Sequence, residues 1–219
     1  MKAILSWSSG KDCAWALHVL RQTPGIEVVG LLSTINTAFD RVAMHGVRRN
    51  LVEAQATAAG LPLTSLGLPW PCSNETYRDL MGSCVSEMRS RGVEAVAFGD
   101  IFLEDVRAYR EQQMMGSGLT PLFPLWGQDT RSLAKRMIDG GLEARIACLD
   151  PRVMPRELAG ARFDAALLEA LPTGLDPCGE NGEFHTFAHA GPMFSAPIEI
   201  RPGETVERDG FVFTDLLAA

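Results

Sequence analysis

Short apolar runs alternate with stretches of helical period through the first half of the chain. Residues 2–6 are apolar and predict a buried strand. A polar break follows at Ser8-Ser9-Gly10-Lys11-Asp12, and from Asp12 to about Arg21 the apolar positions return at helical spacing, closed by Pro24-Gly25. Residues 26–34, rich in β-branched side chains, predict a second buried strand. Residues 44–59 predict a helix with Val47, Leu51, Ala54 and Ala58 on one face. A third strand is expected over 61–66, and a helix over 74–91 with Asn74 as its N-cap. Residues 93–100 predict a strand ending in Gly99-Asp100; a helix over 103–116 and an extended segment over 119–126 follow.

Strands that alternate with helices form a parallel sheet covered on both faces. In such sheets ligands bind beyond the carboxyl ends of the strands. The polar clusters Ser8–Asp12, Ser33–Asn36 and Gly99-Asp100 all fall at those ends. After Trp126 the texture changes to a helix (129–139), a strand (143–149), a short helix (163–171) and a hairpin around Asp209-Gly210. A boundary near residue 126 is therefore expected, with an α/β domain over 1–126 and a smaller α+β domain over 127–219.

Composition narrows the function. The 219 residues carry net charge −7, and residues 127–219 hold 9 Lys/Arg against 15 Asp/Glu, so the acidic excess lies there. That balance argues against a large nucleic-acid footprint. Cys13, Cys72, Cys84, Cys148 and Cys178 form no C-x-x-C pair, which argues against a disulfide framework and a thiolate zinc site. Lys11 and Asp12 interrupt the first apolar run too early for a signal peptide, and no run approaches the roughly 18 apolar residues of a membrane span. A reducing cytoplasm is the expected location.

The break at residues 8–13 is candidate chemistry. A strand running into a helix through small residues, a Gly and a Lys presents free N–H groups to an anion. It is not a Walker A loop, because Leu5 stands where that motif needs its first Gly and Asp12 where it needs Ser or Thr. A dinucleotide fingerprint needs more glycines than Gly10 alone. Ser8-Ser9-Gly10-Lys11-Asp12-Cys13 instead resembles the PP-loop of ATP pyrophosphatases, S-G-G-x-D-S, with Ser9 for the first Gly and Cys13 for the last Ser. Ser9 must then accept backbone angles that Gly takes more easily. A second unusual stretch, "CGENGEFHTF" (178–187), gathers Glu180, Glu183 and His185, groups that are costly to bury without a task.

Together with "VAFGDIFLEDVRAYRE" (96–111), "GLTPLFPLW" (118–126) and the order of the elements, these stretches resemble the diphthine–ammonia ligase family. The resemblance implies a Rossmann-like (HUP-type) nucleotide-binding domain followed by a smaller substrate-binding domain. It also implies a reaction: ATP adenylates a carboxylate, pyrophosphate leaves, and ammonia forms an amide, with Mg²⁺ as cofactor. ATP would meet Ser8, Ser9, Gly10, Lys11, Asp12, Cys13, Ser33, Thr34, His45, Gly46, Gly99 and Asp100. The substrate would meet Glu180, Asn181, Gly182, Glu183, His185 and Thr186. Lys11, Asp12 and Glu183 would be catalytic, and Asp12 and Asp100 would hold Mg²⁺. The acidic motif further predicts a substrate with a cationic group near its carboxylate. Arg107, Arg110 and Glu111 are expected as a salt-bridged helix surface. A homo-oligomer remains open. The competing readings are a tRNA-modifying PP-loop enzyme, against which the acidic balance weighs, and an ATP-binding regulator without turnover, against which the second motif weighs.

Overall fold

The computed structural model describes residues 1–43 and 45–219; Met44, the first residue of the predicted 44–59 helix, lies outside them. In chain order the elements are β1 (Lys2–Ser6), α1 (Lys11–Gln22), β2 (Glu27–Asn36), β3 (Arg41–Val42), α2 (Arg49–Ala59), β4 (Leu63–Leu68), α3 (Asn74–Ser90) and β5 (Ala95–Ala97). There follow α4 (Glu104–Met114), β6 (Thr120–Leu122), α5 (Thr130–Asp139), β7 (Glu143–Leu149), α6 (Ala165–Ala170), β8 (Phe184–Ala190), β9 (Ile200–Arg208) and β10 (Phe211–Ala218).

β1 runs through the middle of the first sheet. β2 and β5 flank it in parallel, with Ser6 beside Leu32 and Leu5 beside Ala97. β4 adds in parallel to β2 and β6 to β5, while short β3 folds back antiparallel on the tip of β2. Ala3, Ile4 and Leu5 are buried in succession, which places a covered face on each side of β1. The second sheet is antiparallel, in the order β8-β7-β10-β9, and its β9–β10 turn is the expected Asp209-Gly210 hairpin, both residues at positive φ. The fold is thus α/β and Rossmann-like, joined to a smaller antiparallel sheet.

One apolar cluster unites the sheets: Leu5, Leu17 and Leu31 share it with Ile146, Phe187 and Val212. A separate cluster under α3 and α4 covers the other face of the first sheet, through Val85, Met88, Val96, Phe98 and Met114. Three expectations need correction. The helix expected from residue 44 starts at Arg49, because β3 and a turn occupy the preceding residues. Its inward face is Leu51, Val52, Gln55, Ala56 and Ala59, with Ala54 and Ala58 at the edge. α3 is capped by Ser73, whose side chain accepts from Thr76 N, and not by Asn74.

Candidate functional site

The tip of β1 and the start of α1 build the centre of the site. Ser9 is fully buried with φ of 73°, the left-handed conformation that Gly adopts without steric cost. Its carbonyl accepts from Ala188 N and from Gln55 Nε2, each at 3.0 Å. Gly10 is the N-cap of α1, and a Cβ there would stand 3.0 Å from His45 Cε1 and 3.4 Å from Thr186 O. Gly10 has no side chain with which to cap the helix, and free N–H groups at such a start can take an anion. Lys11 N alone is claimed, by Thr186 Oγ1 at 3.0 Å.

The Lys11 side chain turns inward and is 1% exposed. Its ammonium lies 2.8 Å from Asp12 Oδ2, donates to Cys178 O, and sits over the rings of Phe163 and Phe184. Burial works against that charge, but Asp12, Cys178 and Glu180 outweigh it and hold the pKa above the usual lysine value. Lys11 therefore ties the loop to the second half of the chain. Cys13 Sγ donates to Gly10 O at 3.1 Å, and burial pushes the thiol up to about 11, so it is neutral at physiological pH.

Two adjoining cavities open around this loop. The smaller, about 220 Å³, is lined by Ser8, Lys11, Asp12 and Cys13 from the loop side, and by Gly99 and Asp100 after β5. Glu180, His185 and Thr186 close it from the second half of the chain. The larger, about 720 Å³, shares Ser8, His45 and His185 with it and adds Thr34. The His45 and His185 rings pack at a tilt of 33° with centroids 4.6 Å apart, and His45 Nδ1 is 3.3 Å from Thr186 O. Burial pushes His185 down to about 4 and His45 well below the usual value, so both are neutral imidazoles. Glu180 accepts from Ile101 N at 2.7 Å, and burial, with Asp12 and Asp100 nearby, pushes it up to about 7.

Several expected residues stand elsewhere. Ser33 is buried with an unpartnered hydroxyl, and it lines neither cavity. Gly46 faces Phe213, and Asn181, Gly182 and Glu183 also line neither cavity. Glu183 instead accepts from Asn181 Nδ2 at 2.9 Å and Asp176 N at 3.3 Å, and its Oε2 has no partner. Arg107 pairs with Glu111 at 2.7 Å as expected of a helix surface. Arg110 does not stay on that surface: it binds both oxygens of Asp100 and lines both cavities.

Mg²⁺ finds a partial fit. Among the described residues no group of three or more His, Cys, Asp or Glu is placed to hold a metal. Asp12 Oδ1 is buried, unpartnered and beside the smaller cavity, which suits one oxygen ligand. Asp100 is taken by Arg110. Sequence reasoning missed Gln55, which is fully buried and bonds Trp7 Nε1, Ser9 O and Ala188 O. Its only signal was a polar residue at an inward helical position.

The family model described as diphthamide synthase N-terminal domain matches residues 1–121, and the one described as diphthamide synthase C-terminal domain matches residues 129–215. A diphthine–ammonia ligase of Danio rerio is 27% identical over 94% of this chain and 89% of its own. Those of Rattus norvegicus and Bos taurus are each 27% identical, over 62% and 65% of this chain. The chain spans about half the length of these two relatives, 52% and 55%. No helix among the described residues is long and apolar enough to cross a membrane. Matched in order by both domains over most of its length, the chain belongs to the diphthamide synthase family.

Proposed function

We propose that this chain is an ATP-dependent ligase that converts a carboxylate to an amide with ammonia. The observation that carries the reading is the convergence of the uncapped start of α1, two neutral histidines and Glu180 on adjoining cavities. Phosphates would lie against the Ser8–Cys13 loop, and the adenosine beside Thr34. Asp12 Oδ1 would hold Mg²⁺, which supplies charge neutralisation for the phosphates. A carboxylate oxygen of the substrate attacks the α-phosphorus, the bond to the bridging β-oxygen breaks, and pyrophosphate leaves. Ammonia then attacks the acyl carbon, the bond to AMP breaks, and one proton is released with the amide. Neutral His185, or Glu180 when ionised, can accept that proton. The diphthine–ammonia ligases it resembles favour an acid–ammonia reaction over modification of a base. The five free cysteines fit a reducing cytoplasm.

Chromatographic analysis of products from ATP, Mg²⁺, ammonium and candidate acids checks the reading. AMP and pyrophosphate are expected in equal amounts with the amide. Accumulation of ADP and phosphate would remove it.

A further inference from the structure

The two cavities meet along a short junction. Ser6, Ser8, His45, Phe98, Arg110 and His185 line both of them. Burial keeps the two histidines neutral, so Arg110 is the only charged side chain of this group. The other cations stand off the junction. Arg78 and Arg89 line only the larger cavity, and Lys11 lines only the smaller. Lys11 is also committed elsewhere: its buried ammonium bonds Asp12 Oδ2 and Cys178 O.

Arg110 reaches from α4 back to the loop after β5. Its Nε donates to Asp100 Oδ2 at 2.5 Å and its Nη2 to Asp100 Oδ1 at 3.1 Å. Its guanidinium carbon lies 4.5 Å from the centroid of the Phe98 ring. These bonds use Nε and one hydrogen of Nη2. Nη1 and the other hydrogen of Nη2 have no partner among the described residues. They form a second fork in the same plane, a shape that matches two oxygens of a phosphate. The group is therefore held on one edge and one face before any ligand arrives, and its free edge needs no reorganisation to act.

If phosphates fill the smaller cavity and adenosine the larger, the α-phosphate that joins them falls at the junction. We propose that Arg110 binds the α-phosphate oxygens and neutralises the charge that develops on them as the acid attacks. This role rests on the ligase reading, and it moves to Arg110 a task that the family resemblance had implied for Lys11. In the step, a carboxylate oxygen bonds the α-phosphorus, and the bond to the bridging oxygen breaks with its electron pair leaving on pyrophosphate. Arg110 gives up no proton. Its N–H groups stay on the non-bridging α-oxygens, where such donors stabilise the transition state.

Calorimetry with adenosine and with AMP isolates the contact, because the two ligands differ only by that phosphate. The wild type is expected to bind AMP at least about tenfold more tightly than adenosine. Arg110→Met alone would leave Asp100 unpaired and able to repel AMP, so the deciding variant combines Asp100→Asn with Arg110→Met and keeps the net charge. It should bind adenosine as the wild type does and lose most of the preference for AMP. Arg107→Met, on the same helix but lining neither cavity, should keep that preference. With an acid that yields AMP in product analysis, the double variant should lower kcat by about 10²-fold or more. A wild type without preference for AMP would overturn the proposal. A double variant that keeps the preference, or that turns over as the wild type does, would also overturn it and leave Arg110 as the counter-ion of Asp100. Failure of the wild type to form AMP with any acid would remove the ligase reading, and the adenosine–AMP comparison would decide the phosphate contact by itself.

Discussion

Glu180 and His185 stand on the same short segment, and burial favours the uncharged form of each. The consequences for stability run in opposite directions with pH. Glu180 is raised from 4.5 to about 7, so its contribution is fully present below 4.5 and is lost as pH rises through 7. His185 is lowered from 6.5 to about 4, so its contribution is present above 6.5 and is lost as pH falls through 4. At pH 8 an ionised Glu180 therefore costs the fold energy, about 1 kcal/mol once solvent screening at this partly open position is allowed for. Glu180→Gln keeps an oxygen for Ile101 N and removes the charge. Urea denaturation should show this variant more stable than the wild type by about 1 kcal/mol at pH 8 and nearly equal to it at pH 4.5. A difference of the same size at both values would mean that Glu180 is not held neutral by its surroundings.

At the scale of elements, the segment after β5 shows how closely the site's parts approach. A Cβ on Gly99 would lie 2.9 Å from Cys13 N and 3.0 Å from Asp12 C, both backbone atoms of the first turn of α1. Backbone cannot swing aside as a flexible side chain can. Gly99→Ala must push the β5–α4 loop off the start of α1, at a cost of about 1–3 kcal/mol, and must widen the proposed phosphate site. Calorimetry should show ATP binding weakened by at least about tenfold, and unchanged affinity would mean that the nucleotide does not use this edge. The element pattern itself was largely legible. β1 and β7 have the bounds that apolar runs predict, and Asp209-Gly210 marked its hairpin because φ > 0 residues are needed there. The start of α2 was not legible, since Val47 fits the helical period of Leu51, Ala54 and Ala58 while its carbonyl accepts from Val42 N of β3. The Ser8–Cys13 loop was legible because its residues are local. The inward course of Lys11 was not, because Cys178, Phe163 and Phe184 come from far along the chain.

For the whole molecule, the seam between the two sheets passes through the Ser8–Cys13 loop itself. Lys11 N bonds Thr186, Ser9 O accepts from Ala188 N, and the Lys11 ammonium reaches Cys178 O. The second sheet thus shapes the loop, so on the ligase reading proposed above ATP binding is expected to depend on contacts made by residues beyond 126. Gln55 sits at the centre of this seam. Its carbonyl accepts from Trp7 Nε1 at 2.8 Å, and its amide donates to Ser9 O at 3.0 Å and Ala188 O at 2.6 Å. Gln55→Leu has a similar size and keeps the apolar contacts of α2, but it leaves an indole N–H and carbonyls without this partner in a dry interior. Each buried group left unpaired costs about 1–3 kcal/mol, less than additively for neighbours. A loss of about 2–4 kcal/mol is expected in urea denaturation. ATP affinity should fall as well, because Ser9 holds its strained φ only while its carbonyl is clamped. Gln55 touches neither cavity, so a direct loss of ligand contact cannot produce that fall. A variant with reduced stability but wild-type ATP affinity would show that the loop keeps its shape without the seam.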